Sequence, residues 1–324
     1  MSSTVLLHSA AEGIPQTLRI GTRGSILART QTEWVAGKLR ALGHSVAVEI
    51  ITTTGDTRTD VAVAGIGGDG VFVRELERAL IEHRIDVAVH SLKDLPTAET
   101  PGLDLACVPR RAVPFDALVG RDGQPLAALP NGAIVGTSSV RRTLQIRLLR
   151  PDIVVRGLRG NVDTRLRKLE AGEYDGIVLA AAGLQRLGLG QRISELLQPD
   201  AFYPAISQGA LALQTRSDDP QTRAAVAPID DPATHSAVLA ERACLGALAG
   251  GCLAPIGGIA LVNAAGMLEL GCCILEDRAG GVRRIVASAE SDPALVSASS
   301  LGLTVAARLR DQGADRMLDH ARHS

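Results

Sequence analysis

From Leu18 onward the chain alternates short apolar runs with stretches whose apolar residues recur at helical spacing, which predicts βα units and a mostly parallel sheet. Leu18 to Thr22 reads as a strand. Leu27, Trp34, Val35, Leu39 and Leu42 then follow a helical period that Gly43 ends. Val46 to Thr53 is the next strand, Phe72, Leu76, Ala79 and Leu80 mark an amphipathic helix, and Ile85 to Val89 is a short strand ending at His90. Between them, residues 53–70 are rich in glycine and aspartate. A loop that long in a compact domain is a lid, a binding loop or a disordered segment.

A second unit of the same style follows the turn-rich stretch Gly120 to Gly132. Ala133 to Gly136 reads as a strand leading into Thr137-Ser138-Ser139, after which Val140, Leu144 and Leu148 share one helix face. Ile153 to Val155 and Ile177 to Ala181 are further strands around a helix starting near Asn161. Past Pro204 and Gly209 comes the apolar stretch Ala210 to Gln214, a candidate for return to the first sheet. From about Asp230 the texture changes. A helix (Thr234 to Leu248) precedes three apolar segments separated by Asn263–Gly266 and Asp277–Gly281, and a last helix runs from Pro293 to about Arg310. Strands joined by short polar turns predict an antiparallel sheet. The expected class is therefore α/β, with residues 17–110 and 204–229 as one domain, 111–203 as a second, and a small α+β domain over 230–324.

Composition narrows the function. At 324 residues the chain exceeds one ordinary core, and 46% hydrophobic with 21% charged residues excludes disorder. A net charge of −1 argues against a protein-wide basic field for nucleic acid. The positive side is 31 arginines against Lys38, Lys93 and Lys168, a ratio that coding bias alone can produce, so the placement of the arginines matters more than their number. Five cysteines, odd in count and without CxxC spacing, suit a reducing compartment. The longest apolar tract, Ala247 to Val262, is broken by Pro255 and glycines, and residues 1–16 lack the basic start of a signal peptide. No membrane attachment and a cytoplasmic location are expected.

In open α/β sheets ligands bind beyond the carboxyl ends of strands. Arg23 and Ser25 follow the first strand, His90, Ser91, Lys93 and Asp94 the strand at Ile85, and Thr137, Ser138, Ser139, Arg141 and Arg142 the strand at Ala133. Arg156, Arg159, Arg165 and Arg186 extend the series, while Arg167 reads as surface. Helix N-termini carrying hydroxyls and guanidinium forks suit a polyanion such as a many-carboxylate molecule. Gly65-Ile-Gly-Gly-Asp-Gly70 lacks the Lys-Ser/Thr of a phosphate loop, and the scattered histidines offer no metal site. Cys252, in a glycine-flanked turn, is an inert small hydrophobe or a point of covalent attachment. These residues alone leave open a non-catalytic binding module and a transferase that uses Cys252 as a transient nucleophile.

Seven ordered segments resemble the porphobilinogen deaminase (hydroxymethylbilane synthase) family: Arg23-Gly-Ser25, Gly70-Val-Phe72-Val-Arg-Glu75-Leu-Glu77, His90-Ser-Leu-Lys-Asp-Leu-Pro96, Gly136-Thr-Ser-Ser-Val-Arg-Arg142, Arg159-Gly-Asn161 with Thr164-Arg165, Gln208-Gly-Ala210 and Gly250-Gly-Cys252. The resemblance implies two periplasmic-binding-protein-like βα domains around a cleft plus a small third domain. It also implies a dipyrromethane cofactor attached to Cys252 by a thioether, onto which four porphobilinogen units are added in turn with loss of ammonia, hydrolysis then releasing hydroxymethylbilane. Asp94 would stabilise the cationic azafulvene and Arg23 would orient the substrate as the second catalytic residue. Lys93, Asp94, Ser139, Arg141 and Arg142 would bind the cofactor, and Arg23, Ser25, Phe72, Arg159, Arg165, Arg186 and Gln208 the substrate. A monomer is a further implication. The chain departs from the family pattern at Gly65 and Asp69, where the loop often carries lysines, at Ala249, which replaces an acidic residue, and at Ser207, which replaces a glycine before Gln208.

Overall fold

In the computed structural model, which describes residues 17–52, 73–249, 254–292 and 296–323, side chains with short polar groups start most of the longer helices. Ser25 accepts the Ala28 N–H at the start of α1 (Ile26–Ala41), whereas α2 (Arg74–Ile81) begins without such a cap. Ser139 and Asn161 do the same for α3 (Val140–Leu149) and α4 (Val162–Glu170), and α5 (Ala181–Arg186) is uncapped. Asp219, Asp231 and Ser297 cap α6 (Pro220–Val226), α7 (Pro232–Ala247) and α8 (Ala298–Asp311), which α9 (Ala314–His323) follows. Each cap satisfies a backbone donor that the helix itself leaves unpaired.

Among the described residues the strands form three sheets. The first contains β1 (Leu18–Thr22), β2 (Val46–Ile50), β3 (Val87–Ser91) and β4 (Leu103–Cys107), together with β10 (Leu211–Arg216), in the order β2-β1-β3-β10-β4. The second contains β5 (Asp116–Gly120), β6 (Ile134–Gly136), β7 (Val154–Arg156), β8 (Gly176–Ala180) and β9 (Glu195–Leu197), in the order β7-β6-β8-β5-β9. The third is antiparallel: β11 (Ile256–Val262), β12 (Leu268–Arg278) and β13 (Gly281–Ser291), in that order. Two α/β layers and a small α+β layer match the expected class.

The first two sheets are mixed rather than mostly parallel. β10 runs antiparallel to both β3 and β4, and β5 antiparallel to both β8 and β9. Hydrophobic period cannot report strand direction, because a strand covered on both faces is apolar throughout whichever way it runs. All six residues of β10 are buried.

Local corrections follow from packing. α1 buries Gln31, Thr32, Val35, Ala36 and Leu39, while Trp34 is 46% exposed with the Lys38 ammonium over its ring at 5.6 Å. Val140 is likewise exposed, leaving Leu144 buried. The final helical region is two helices divided by Gly313, whose φ of +94° is a conformation that favours glycine. Among the described residues no helix is long and apolar enough to cross a membrane.

Candidate functional site

In the first sheet β1 lies between β2 and β3, so chain order reverses beside β1 and a crevice opens beyond the strand ends. Arg23 leaves β1 there, and the short turn Leu92–Asp94 leaves β3. A pocket of about 80 Å³ is lined by Arg23, Ser25, Gln31, His90, Ser91 and Asp94, with apolar walls from Leu27, Ala28, Val73 and Val89. Gln31 of α1 is hydrogen-bonded to Ser91 at 3.1 Å, fixing the helix start against the strand end. Arg23 and Asp94 thus place opposite charges in one small crevice. Burial lowers the His90 imidazolium to about 4, against the hydrogen bond to Gln214 and aided by the nearby Arg23 charge, so the ring is neutral near pH 7.

A second cluster lies at the start of α3. Arg141 and Arg142, 4% and 7% exposed, converge on Asp116, which is fully buried at the start of β5. Arg141 Nη1 donates to Asp116 Oδ2 at 2.7 Å, and Arg142 donates from Nε and Nη2 to Oδ1 at 3.0 and 2.6 Å. Burial alone would raise the Asp116 carboxyl, but the two guanidinium charges overcome it and hold the group well below the usual carboxylate range. Arg142 also donates to the Val178 carbonyl and Arg141 to that of Tyr203. Gln208 Nε2 donates to Pro114 O and Asp116 Oδ1, and its Oε1 accepts Lys93 Nζ at 3.4 Å. Lys93, Gln208, Arg141 and Arg142 are therefore one connected group joining the first two sheets, with Asp116 at its centre.

Burial lowers Lys93 to about 8, the Asp94 charge opposing and the Arg142 charge adding to that shift. Arg165 and Arg186 are lowered to about 10, both by burial and Arg165 also by Arg142. Arg165 Nε donates to the Gly160 carbonyl and Arg186 Nη2 to that of Gly209, each at 2.8 Å. A carbonyl offers only a partial charge, so each guanidinium sits where a full anion would stabilise it further. Ser139 spends its hydroxyl on the Arg142 N–H as a cap, and Ser25 does so on Ala28. Arg159 and Arg167 are both exposed. Phe72, Cys252 and the loop 53–70 lie outside the described residues.

Two elements of the site escaped the sequence pattern. Asp116 is one; the other is Arg111, whose guanidinium meets the buried Glu241 of α7 at 2.6 and 3.2 Å and the Gln208 carbonyl at 2.7 Å. Glu241 further accepts the backbone N–H groups of Ser207 and Ala260. This carboxylate therefore ties the strand entry at 207–208 to the third sheet. A lone Asp at the start of an apolar strand, an Arg in a loop and a lone Glu inside a helix carry no motif; the available signal is that Asp116 and Glu241 fall at otherwise apolar positions.

Two family models match: "Porphobilinogen deaminase, dipyromethane cofactor binding domain" over residues 18–224, and "Porphobilinogen deaminase, C-terminal domain" over residues 235–311. A porphobilinogen deaminase of Roseiflexus castenholzii is 48% identical over 93% of this chain and 98% of its own. That of Bacillus subtilis is 40% identical over 95% of this chain and 97% of its own. A periplasmic substrate-binding protein of an ABC transporter from Coxiella burnetii aligns with 68% of this chain and 94% of its own at 14% identity and a TM-score of 0.41.

Proposed function

The chain belongs to the porphobilinogen deaminase family, and from that premise we propose that it is a transferase that condenses four porphobilinogen molecules head to tail with release of ammonia, yielding hydroxymethylbilane after hydrolysis. The observation that carries this reading is the crevice in which Arg23 and Asp94 face one volume. A substrate bearing carboxylates at one side and an amine that departs as ammonia at the other needs a fixed cation and a fixed anion close together.

The side chains present fit a dipyrromethane group, because Lys93, Arg165 and Arg186 are partly buried cations whose pKa values burial lowers and which an anion would stabilise. Two guanidinium groups against the single Asp116 carboxylate leave positive charge in excess beside Lys93, so Arg141 and Arg142 still attract acid side chains while anchoring the scaffold. Lys93, Asp94, Ser139, Arg141 and Arg142 would hold the cofactor, with Cys252 as its covalent attachment. When bound, the group supplies a terminal pyrrole as the acceptor for the first unit.

Arg23 orients the incoming substrate through a carboxylate, with Ser25, Phe72, Arg159, Arg165, Arg186 and Gln208 completing its binding. Asp94 faces the methylene carbon from which ammonia departs and stabilises the positive charge that develops there, an interaction strongest where water is excluded. The same carboxylate can take the proton that the reacting pyrrole carbon must lose. The cysteines at 107, 244, 272 and 273 are free and buried, which suits a cytoplasmic enzyme, and we assign it as a monomer.

Intact mass of the full-length protein from a porphobilinogen-producing host should exceed the chain mass by one dipyrromethane unit, and Cys252→Ser should remove the excess. An unmodified Cys252 in active wild-type protein would sink the attachment. Asp94→Ala should fold normally and lose turnover by roughly a hundredfold to a thousandfold, as when a transition-state stabiliser is deleted. Unchanged turnover would remove Asp94 from the mechanism.

A further inference from the structure

Glu77 and Gln214 touch none of the cations that hold carboxylates, yet both reach the pocket through His90. In the antiparallel pairing of β3 with β10, His90 is opposite Ala212 and Gln214 opposite Ala88, which makes His90 and Gln214 diagonal neighbours on one face. His90 Nε2 lies 3.1 Å from Gln214 Oε1, and Gln214 Nε2 donates to Glu77 Oε1 of α2 at 3.0 Å. Thr100 Oγ1 donates to the same Glu77 oxygen at 2.9 Å. An ionised carboxylate only accepts, so the Gln214 amide must present its NH2 to Glu77 and its oxygen to His90. That oxygen also only accepts, so the hydrogen of the imidazole must sit on Nε2. A ring held neutral by burial carries no second proton, and Nδ1 is left as a lone-pair acceptor. His90 lines the same pocket as Arg23 and Asp94.

We propose that His90 is a substrate-binding residue whose Nδ1 accepts a hydrogen bond from a substrate N–H while Arg23 takes a carboxylate, with Gln214 and Glu77 as positioning residues that fix the tautomer. The inference rests on the functional reading above, since porphobilinogen offers both a pyrrole N–H and an amine. A neutral acceptor repels a carboxylate, so this wall of the pocket selects the nitrogen-bearing side of the ligand and sets its orientation toward Asp94. Fixing the tautomer in advance spares the ring a reorganisation when substrate arrives.

Nitrogen-15 NMR of the histidine side chains in the full-length protein, with His90 assigned by its loss in His90→Gln, should show a neutral ring protonated at Nε2 near pH 7. Glu77→Gln should give mixed tautomers, because an amide at position 77 lets Gln214 turn round. In steady-state assays with porphobilinogen, His90→Gln should raise KM roughly tenfold, the worth of one good hydrogen bond, with a smaller change in kcat. His90→Asn, whose amide oxygen can replace Nδ1, should keep KM within about threefold of wild type. A wild-type ring protonated at Nδ1, or a KM unchanged in His90→Gln, overturns the proposal. Should His90→Gln fail to fold, His90→Asn and His90→Ala at matched stability decide it: equal KM values would overturn it, and a lower KM for Asn would support it. Wild-type protein inert toward porphobilinogen would defeat the functional reading and the substrate half of this inference, whereas the tautomer is tested by the spectrum alone.

Discussion

The crevice beyond β1 and β3 and the cluster at the start of α3 both carry charge at strand ends, but they treat it differently. In the first, Arg23 and Asp94 line an open volume with neutral His90. In the second, Arg141 and Arg142 already hold Asp116 in a buried network. A guanidinium engaged on two sides serves architecture first and contributes field to its surroundings, whereas one lining an open crevice can change partners when a ligand enters. Similar-looking arginines after strands of the two sheets thus differ: Arg141 and Arg142 are a scaffold pair and Arg23 lines the crevice, and a single aspartate from β5, two strands away from β6, makes the difference.

The largest effect that tests this contrast should come from Asp116→Asn. Removing the carboxylate leaves two buried guanidinium groups facing each other, a loss of about 3–5 kcal/mol in urea unfolding. A loss under about 1 kcal/mol, the size of a surface pair, would show that the cluster is not the anchor inferred here. A smaller effect concerns Lys93, whose ammonium is pushed down to about 8 by burial. A lysine loses its charge as pH rises through its pKa. If Lys93 holds the cofactor's carboxylates, those anions raise its pKa, so in the loaded enzyme the alkaline fall of kcat/KM should begin above 8 and steepen to at most about tenfold per pH unit. Lys93→Arg, charged throughout, should flatten that limb. The smallest effect is at the junction of the two regions. Ser207 holds φ at +60°, where a Cβ is strained, and its buried hydroxyl has no hydrogen-bond partner. Ser207→Gly should stabilise the fold by about 1 kcal/mol, strain relief and loss of the orphan hydroxyl outweighing the added freedom of the unfolded chain. Destabilisation would mean that the serine is accommodated without strain.

Much of the site could be read before the fold was known because its chemistry is local. A hydroxyl before a helix caps that helix, and residues following a strand stay at its end whatever the sheet order; Arg23, Ser25, Asp94 and Ser139 all lie where their flanking patterns put them. Strand direction was not local, so β10 and β5 contradicted the expectation of a mostly parallel arrangement. The missed strands β4 and β5 match β1, β3 and β8 in length, and β9 matches β6, but none of the three adjoins an α-helix in chain order, so no helical period frames them as it frames β1, β3, β6 and β8. Trp34 was assigned to the wrong face for a related reason: residues three and four apart share a face, and Val35 competes with Trp34 for the same stripe.

The Arg23–Asp94 crevice sharpens where that limit lies. Which residues carry charge, which helices they begin, and which family the chain joins follow from order along the chain, since caps, turns and motifs span only a few residues. Which charges remain available follows from contacts across the chain, because Asp116 lies 25 residues from Arg141 and 92 from Gln208. Charges couple through the space between them and the water excluded from it, and only folding sets both.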